Sequence, residues 1–187
     1  MPIEKVIFET IYHEFKVMVF NLALNYLQNI EDSEEVTQDV FVKVYHSLSQ
    51  FQQKSSHKTW IYRITINQCL DFTKKKNSRK RLYFFGKKSE NKREYLNTST
   101  FEHPGILLEN QEAAAQLFSV INTLTENQKT AFLLSKLDGM SNPEIAEIME
   151  LSISAVESLI FRAKASLQEK LEKKIQRVPQ EIKITFV

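Results

Sequence analysis

Turn-forming residues are scarce in this sequence, and their scarcity restricts the architectures open to the chain. Three glycines and four prolines among 187 residues are too few for the many tight turns of an all-β fold. Apolar residues recur at steps of three and four along most of the chain, which is the period of an amphipathic helix. We therefore predict an all-α protein.

The helical pattern falls into two blocks. In the first block, the predicted core stripes are Phe8, Ile11, Tyr12, Phe15, Val19, Leu22 and Tyr26 on one helix and Val36, Val40, Phe41, Val44 and Leu48 on the next. A third helix begins near Thr59 and fades into a lysine run. The single cysteine of the chain, Cys69, lies on this helix and is interpreted as a buried small hydrophobe.

A charged stretch containing Gly86 and Pro104-Gly105 separates the two blocks. We predict two small helical domains, at residues 1–75 and 109–177, joined by a linker at 76–108. The tail at 178–187, VPQEIKITFV, alternates apolar residues as a strand does. It could be a disordered tail or an edge strand.

Charge is distributed unevenly along the chain, although the net charge is only +2. Residues 1–50 contain eight acidic and three basic residues, whereas residues 71–93 contain ten basic and two acidic ones. This asymmetry favours one surface that binds a polyanion and another that avoids it. Two ordinary solvated faces would give the same pattern.

The second block contains helix caps at close spacing. Thr125 with Gln128, and Ser141 with Glu144, fit capping boxes, and Ser152 fits the N-cap of the last helix. Gly139 fits a left-handed C-terminal cap. The stretch from Ser141 to Leu167 therefore predicts two helices joined by a tight turn, as in a helix-turn-helix, with Glu150 where glycine is favoured.

In a helix-turn-helix, the first helix packs across the second, so a small residue belongs at the crossing. Ala146 supplies it. The apolar anchors are predicted to be Ile145, Met149, Leu151, Ile153, Val156 and Leu159 or Ile160. Ser154, Glu157, Ser158, Phe161 and Arg162 are left on the outward face, with Lys164 nearby. Ordinary helical hairpins look similar, so this segment alone is a weak indication of DNA binding.

Two longer blocks resemble a known family, the bacterial sigma factors of the sigma-70 class, specifically the extracytoplasmic-function (ECF) group. The block EDSEEVTQDVFVKVYHSLSQFQQKSSHKTWIYRITINQCLDF resembles conserved region 2, and LTENQKTAFLLSKLDGMSNPEIAEIMELSISAVESLIFRAKASL resembles region 4. The resemblance implies a promoter-specificity subunit that binds core RNA polymerase and promoter DNA. The habits of the family also imply an inhibitory anti-sigma factor.

The resemblance implies roles for three sets of residues. Core polymerase would be bound by Glu35, Gln38, Asp39 and Val42. Minus-10 DNA would be bound by Lys58, Thr59, Trp60, Arg63, Asn67, Lys74 and Lys75. Minus-35 DNA would be read by Ser154, Glu157, Ser158, Phe161, Arg162 and Lys164. A core position competes with this role for Trp60 and is favoured over it, since the only Trp of a small domain is more often core than a stacking platform. Tyr62 carries the same ambiguity.

Glu157 lies where relatives often carry a basic residue. A carboxylate cannot hold a phosphate, but it can accept a hydrogen bond from cytosine N4. Phe161 can touch a thymine methyl, and Arg162 can pair with guanine or with a phosphate. We therefore expect the segment to read DNA weakly by itself and to need the polymerase to hold it in place.

Two other functions compete with the sigma-factor interpretation. One is a dimeric helix-turn-helix repressor that acts without polymerase, which leaves the region 2-like block unexplained. The other is a helical adaptor that binds only protein, which Glu150 and Glu157 favour slightly.

An enzyme is not expected. The four histidines are scattered, no glycine-rich phosphate loop occurs, and Cys69 has no base near it in sequence. We predict no metal or cofactor. No apolar run reaches the roughly 20 residues that span a bilayer, and no signal peptide is evident. A cytoplasmic protein without membrane insertion is expected.

Overall fold

A computed structural model describes residues 3–52, 55–86 and 111–176 of the chain. The α-helices are α1 (Ile3–Leu27), α2 (Ile30–Ser47), α3 (His57–Gly86), α4 (Gln111–Ile121), α5 (Glu126–Lys136), α6 (Asn142–Met149) and α7 (Ile153–Gln176), with a short 3₁₀ helix at Leu48–Gln50. These residues contain no strand, which confirms the all-α prediction. Helices α1–α3 form one compact unit, called unit 1, and most of α4–α7 forms a second, called unit 2.

Unit 1 is a three-helix arrangement in which each helix packs against the other two. Its core is continuous along α1 and α2, where all the predicted stripe residues are buried except Phe8, Tyr12 and Leu48. Ile61, Tyr62 and Cys69 add the buried face of α3, so Tyr62 and Cys69 are core residues. Removing such side chains from water, at about 1.5–3 kcal/mol each, is what holds the three helices together.

The turn between α1 and α2 is built from polar residues. Gln28 has a positive φ of 56°, which ends α1 after Leu27. The Asn29 side chain then accepts a hydrogen bond from the Asp32 backbone N–H at 2.8 Å and caps α2. Glu31 and Asp32 in the first turn of α2 favour the positive end of the helix dipole.

Helix α3 extends further than the sequence pattern indicated. It continues to Gly86, through eleven residues that were assigned to the start of the linker. The physical reason is that residues 76–85 contain no glycine or proline, and that lysine, arginine and leucine have good helix propensity. The rest of the linker, residues 87–108, and the tail at 178–187 lie outside the described residues.

Unit 2 consists of three short helices, α4, α5 and α6, and the longer α7, against which α4 and α5 pack. The capping box of Thr125 and Gln128 at the start of α5 is confirmed, with both reciprocal hydrogen bonds present. Gly139 has a φ of +66°, and a Cβ atom there would meet nothing within 4 Å. Backbone conformation, not lack of space, therefore favours glycine at this turn.

Within the described part of the chain, no helix has the length and apolar character needed to cross a membrane. The same residues bring together no group of three or more His, Cys, Asp or Glu side chains that could hold a metal ion.

Candidate DNA- and polymerase-binding surfaces

Helices α6 and α7 form a helix-turn-helix whose turn is closed by backbone and side-chain hydrogen bonds. Glu150 has a φ of 56°, so the expected left-handed turn residue is confirmed. The Leu151 N–H donates to the Ala146 carbonyl at 3.0 Å, which closes the C-terminus of α6. Ser152 caps α7 by accepting a hydrogen bond from the Ala155 N–H at 3.2 Å.

The start of α6 is tied down by the second predicted capping pair. The Glu144 carboxylate accepts hydrogen bonds from both the backbone N–H and the hydroxyl of Ser141, at 2.9 and 2.7 Å. The hydroxyl thus donates to Glu144 instead of accepting from the backbone. Local contacts therefore fix both ends of α6 and the start of α7.

One side of α7 is buried and the other faces solvent. Its buried stripe is Val156, Ile160, Ala163 and Leu167. Ser154, Glu157, Phe161, Arg162 and Lys164 are exposed, and Ser158 is half-buried. Phe161 is 73% exposed, an unusual position for a large apolar residue. All six predicted minus-35 residues thus lie on or beside an accessible helix face.

Two predicted anchors of this motif are wrong. Leu151 and Ile153 are 37% and 47% exposed, whereas Ile145, Val156 and Ile160 are buried as expected. Leu151 and Ile153 lie in the turn and at the first position of α7, before its first buried residue. The apolar period of the sequence runs through the turn without a break, so it does not reveal that packing begins only at Val156.

The structure adds a contact that the sequence pattern did not predict. The Asn142 side-chain amide donates to Oε1 of Glu157 at 3.4 Å, joining the first residue of α6 to the exposed face of α7. The two residues are fifteen positions apart, so helical periodicity gives no signal for the pair.

Helix α2 presents the four predicted polymerase-binding residues on one exposed face. Glu35, Gln38, Asp39 and Val42 are all exposed and follow the i, i+3, i+4, i+7 spacing of a single helix face. The opposite stripe, Val36, Val40 and Val44, is buried. An exposed Tyr45 continues the face, and its ring meets Phe8 edge-on at 5.2 Å. The surface is thus acidic at one end and apolar at the other.

The seven predicted minus-10 residues have different environments. Lys58, Asn67, Lys74 and Lys75 are exposed along α3. Thr59 is only 8% exposed, and its hydroxyl lies 3.0 Å from the hydroxyl of Ser56. Ser56 also accepts the Thr59 backbone N–H at 3.0 Å. Thr59 is thus buried in the first turn of α3, and its role in DNA binding stays a prediction.

Trp60 lies at the wall of a small cavity and not in the core. Its ring packs 4.8 Å from that of Phe51, which stacks on His57 at 4.7 Å. The cavity, of about 270 Å³, is lined by Ser47, Gln50, Phe51, Gln52, Ser55, Trp60 and Arg63. Trp60 and Arg63 therefore share one concave site with several polar neighbours.

Two polar contacts hold α3 against α2. Lys43 Nζ donates to Gln68 Oε1 at 2.9 Å, and Lys76 forms an ion pair with Asp32. The pairing of Lys76 with Asp32 partly neutralises one charge within the basic run.

A capped helix-turn-helix with an accessible second helix, in a chain with a separate three-helix unit, defines a protein of the helix-turn-helix DNA-binding class. Family models agree: residues 11–79 match Sigma-70 region 2, and residues 114–167 match Sigma-70, region 4. The ECF RNA polymerase sigma-E factor of Escherichia coli K12 is 30% identical over 155 residues, covering 78% of this chain and 77% of that protein. The Haemophilus influenzae sigma-E factor is 28% identical over 170 residues, covering 90% and 89%.

Solved structures show the same fold. The sigma factor RpoE of Bartonella quintana, in complex with the anti-sigma factor NepR, matches with a TM-score of 0.64 at 21% identity, covering 88% of this chain and 96% of that one. CnrH in complex with the cytosolic domain of CnrY gives 0.62 at 23% identity, covering 89% and 88%. This chain belongs to the sigma-70 family of RNA polymerase sigma factors, in the ECF group. The family consists of transcription-regulatory subunits and not of enzymes.

Proposed function

We propose that this chain is a promoter-specificity subunit that directs core RNA polymerase to a particular set of promoters. The outward face of α7 is the observation that carries the proposal, because a capped helix that exposes a phenylalanine and two basic side chains is suited to the major groove. Unit 1 would bind the polymerase and the minus-10 DNA, and unit 2 the minus-35 DNA.

The exposed α2 face is the proposed docking site for core polymerase. A partner with basic side chains would meet Glu35 and Asp39, and Val42 would add apolar contact. Because DNA phosphates repel acidic side chains, this face is better suited to a protein partner than to a promoter. The family's docking partner is a coiled coil of the largest polymerase subunit, and we place that contact here.

Minus-10 DNA is proposed to bind along α3 and at the Trp60 cavity. Lys58, Lys74 and Lys75 would contact phosphates, and Asn67 would pair with a base edge. Trp60 and Arg63 line a concave site in which an unpaired base could stack, worth about 1–3 kcal/mol per base. Holding bases in the unpaired state would favour opening of the duplex.

Minus-35 DNA is proposed to be read by Ser154, Glu157, Ser158, Phe161, Arg162 and Lys164. Neither DNA contact has to be tight alone, because two contacts on one scaffold raise each other's effective concentration. Specificity then depends on both promoter elements and on their spacing. This requirement also favours a polymerase-dependent factor over an autonomous repressor.

An anti-sigma factor is proposed as a further partner. One structure with this fold is the complex of the sigma factor RpoE with the anti-sigma factor NepR. A protein that covers the α2 face would compete with core polymerase for the same residues. We therefore expect an inhibitory partner of this chain to bind there.

The test is transcription in vitro with core polymerase of the source bacterium, with and without this protein, on a library of its upstream genomic fragments. Discrete starts that share one two-part upstream motif are expected. Asn67→Ala and Arg162→Ala should each lower initiation about tenfold, since one base-specific contact is worth about 1–3 kcal/mol. Lys136→Ala, an exposed residue on α5 outside the proposed surfaces, is the matched control.

The alternatives predict different results. Absence of starts, with the same polymerase active on its housekeeping sigma factor, would contradict the proposal and favour a protein-binding adaptor. Tight binding of the isolated protein to duplex promoter DNA would favour the autonomous repressor.

A further inference from the structure

Glu157 is the one acidic residue among the six proposed minus-35 contacts. It lies on the second turn of α7, between Ser154 and Phe161 on the exposed face. A carboxylate repels DNA phosphates, so a backbone contact is excluded for this side chain. The N-terminal part of a recognition helix is also the part that reaches base edges. Glu157 is therefore placed to read a base.

The hydrogen-bonding chemistry of a carboxylate restricts which base that is. An ionised glutamate only accepts hydrogen bonds, so its partner must present a donor in the major groove. Cytosine presents the N4 amino group there with no neighbouring acceptor, whereas adenine presents N6 beside the acceptor N7. A glutamate therefore fits cytosine better than any other base.

Asn142 restricts the orientation of the Glu157 carboxylate. Its amide donates to Oε1 of Glu157 at 3.4 Å, so one carboxylate oxygen is engaged within the protein. Asn142 is half-buried as the first residue of α6, and Ser141 before it is tied to Glu144. The Asn142 amide that donates to Glu157 is thus held in place by the start of α6. A long side chain held in this way loses less rotamer entropy when it meets a ligand.

We propose that Glu157 selects cytosine in the minus-35 element and that Asn142 is the positioning residue that orients its carboxylate. The inference rests on the proposed function and deepens it, because it names a base preference and a residue outside the recognition helix. Asn142 acts through Glu157 and needs no contact with DNA. A purely structural contact between α6 and α7 would instead affect stability without changing base preference.

The test uses holoenzyme assembled from the full chain and core polymerase, with the promoter found by start mapping. Each minus-35 position is varied through all four bases, and holoenzyme affinity is measured for each DNA. Wild type should prefer cytosine at one position by about tenfold. Asn142→Leu, which keeps the side-chain shape but removes the amide, should lower that preference several-fold. Asn142→Gln keeps an amide donor and should restore most of it.

Glu157→Gln provides a sharper signature. With Asn142 still donating to Oε1, the new amide nitrogen is left as a donor, so the preference should change from cytosine to a base with an exposed acceptor, guanine or thymine. In the double variant Asn142→Leu with Glu157→Gln, the amide is free to turn and should pair with adenine instead. Pro143→Ala, an exposed neighbour on α6, is the control and should leave the preference unchanged.

Several results would overturn the inference. An unchanged cytosine preference in Asn142→Leu, with Glu157→Gln altering it, would show that Glu157 reads the base without help from Asn142. If neither substitution changes the base preference, Glu157 does not read a base, and the sigma-factor function is unaffected by that result. If wild-type holoenzyme selects no promoter at all, the proposed function fails and this inference fails with it. Helix content and the midpoint of thermal unfolding identify any variant that does not fold.

Discussion

The two units of this protein fix their helices in different ways. Unit 1 uses long helices of 25, 18 and 30 residues, each packed on both of the others. Three of the four helices in unit 2 have only 11, 11 and 8 residues, and two of them, α5 and α6, are bounded by local caps and followed by positive-φ residues. Helices this short are marginal without tertiary support, so small features at their ends matter more.

The difference has a consequence for function. In unit 1, the exposed α2 face is oriented by the buried residues Val36, Val40 and Val44 on the other side of the helix, so several residues share the task. In unit 2, α7 also packs against α4 and α5, but the start of its exposed face follows directly on the turn at Glu150 and the Ser152 cap. The proposed DNA-reading face of α7 should therefore be more sensitive to single turn residues than the proposed polymerase-binding face of α2 is.

Matched core substitutions should give the largest effect and test whether packing supports both units. Leu22 in unit 1 and Leu134 in unit 2 are both essentially inaccessible to solvent. Each change to alanine should lower the free energy of unfolding by about 2–5 kcal/mol, from lost apolar burial plus the cavity. We expect the larger loss at Leu22, because long helices packed on two neighbours relax less into a cavity. Urea or thermal unfolding provides the measurement.

The control for this pair is Leu117→Ala on α4, since Leu117 is 40% exposed and has less packing to lose. Its effect should be clearly smaller than that of Leu134→Ala. Equal losses at Leu117 and Leu134 would mean that burial does not govern stability in unit 2.

Turn substitutions should have effects of intermediate size and opposite sign. Gly139→Ala should destabilise unit 2 by about 1–2 kcal/mol, because an alanine would have to adopt the left-handed conformation. Glu150→Gly should stabilise it by up to about 1 kcal/mol, since glycine removes that strain. Chemical denaturation of the two variants is the measurement.

The same replacement in unit 1 sharpens the comparison. Gln28 has the same positive φ, but it is buried and its amide donates to the Asn25 carbonyl. Gln28→Gly should therefore gain little or lose stability, because lost packing offsets the relief of strain. A clear gain at Gln28 would show that the two turns are governed by the same factor.

The smallest effect is expected from the ionic pair on the exposed part of α7. The hydrogen bond from Lys173, at 2.5 Å, and the charge of that lysine lower the pKa of Glu169 below its usual range. A lowered folded-state pKa stabilises the helix above the unfolded-state value, and the contribution disappears as the pH falls through the folded-state value. NMR titration should find a lower midpoint for Glu169 in wild type than in Lys173→Met.

High salt should reduce the difference between the two proteins, because this pair is solvent-exposed. An identical midpoint in wild type and Lys173→Met at low salt would contradict the assigned cause.

Much of the fold could be predicted because it depends on local patterns. The period of Val36, Val40 and Val44 identified the buried side of α2, and by exclusion the exposed face of Glu35, Gln38, Asp39 and Val42. The capping box of Thr125 was readable since its partners lie three residues apart. The charge of residues 76–85 predicts a linker, but α3 continues through them, because they contain no helix breaker and several residues of good helix propensity that extend a helix already formed.

The sequence by itself determined the helical class, the caps at Thr125 and Ser152 and the family resemblance, since each of these is encoded by residues within a few positions or by a recognisable block. Only the tertiary structure decided that Thr59 is buried, that Leu151 and Ile153 are exposed and that Asn142 contacts Glu157. Those outcomes depend on where neighbouring helices begin and end in space. Helical period specifies the direction of a side chain around its own axis, but not whether another element is there to meet it.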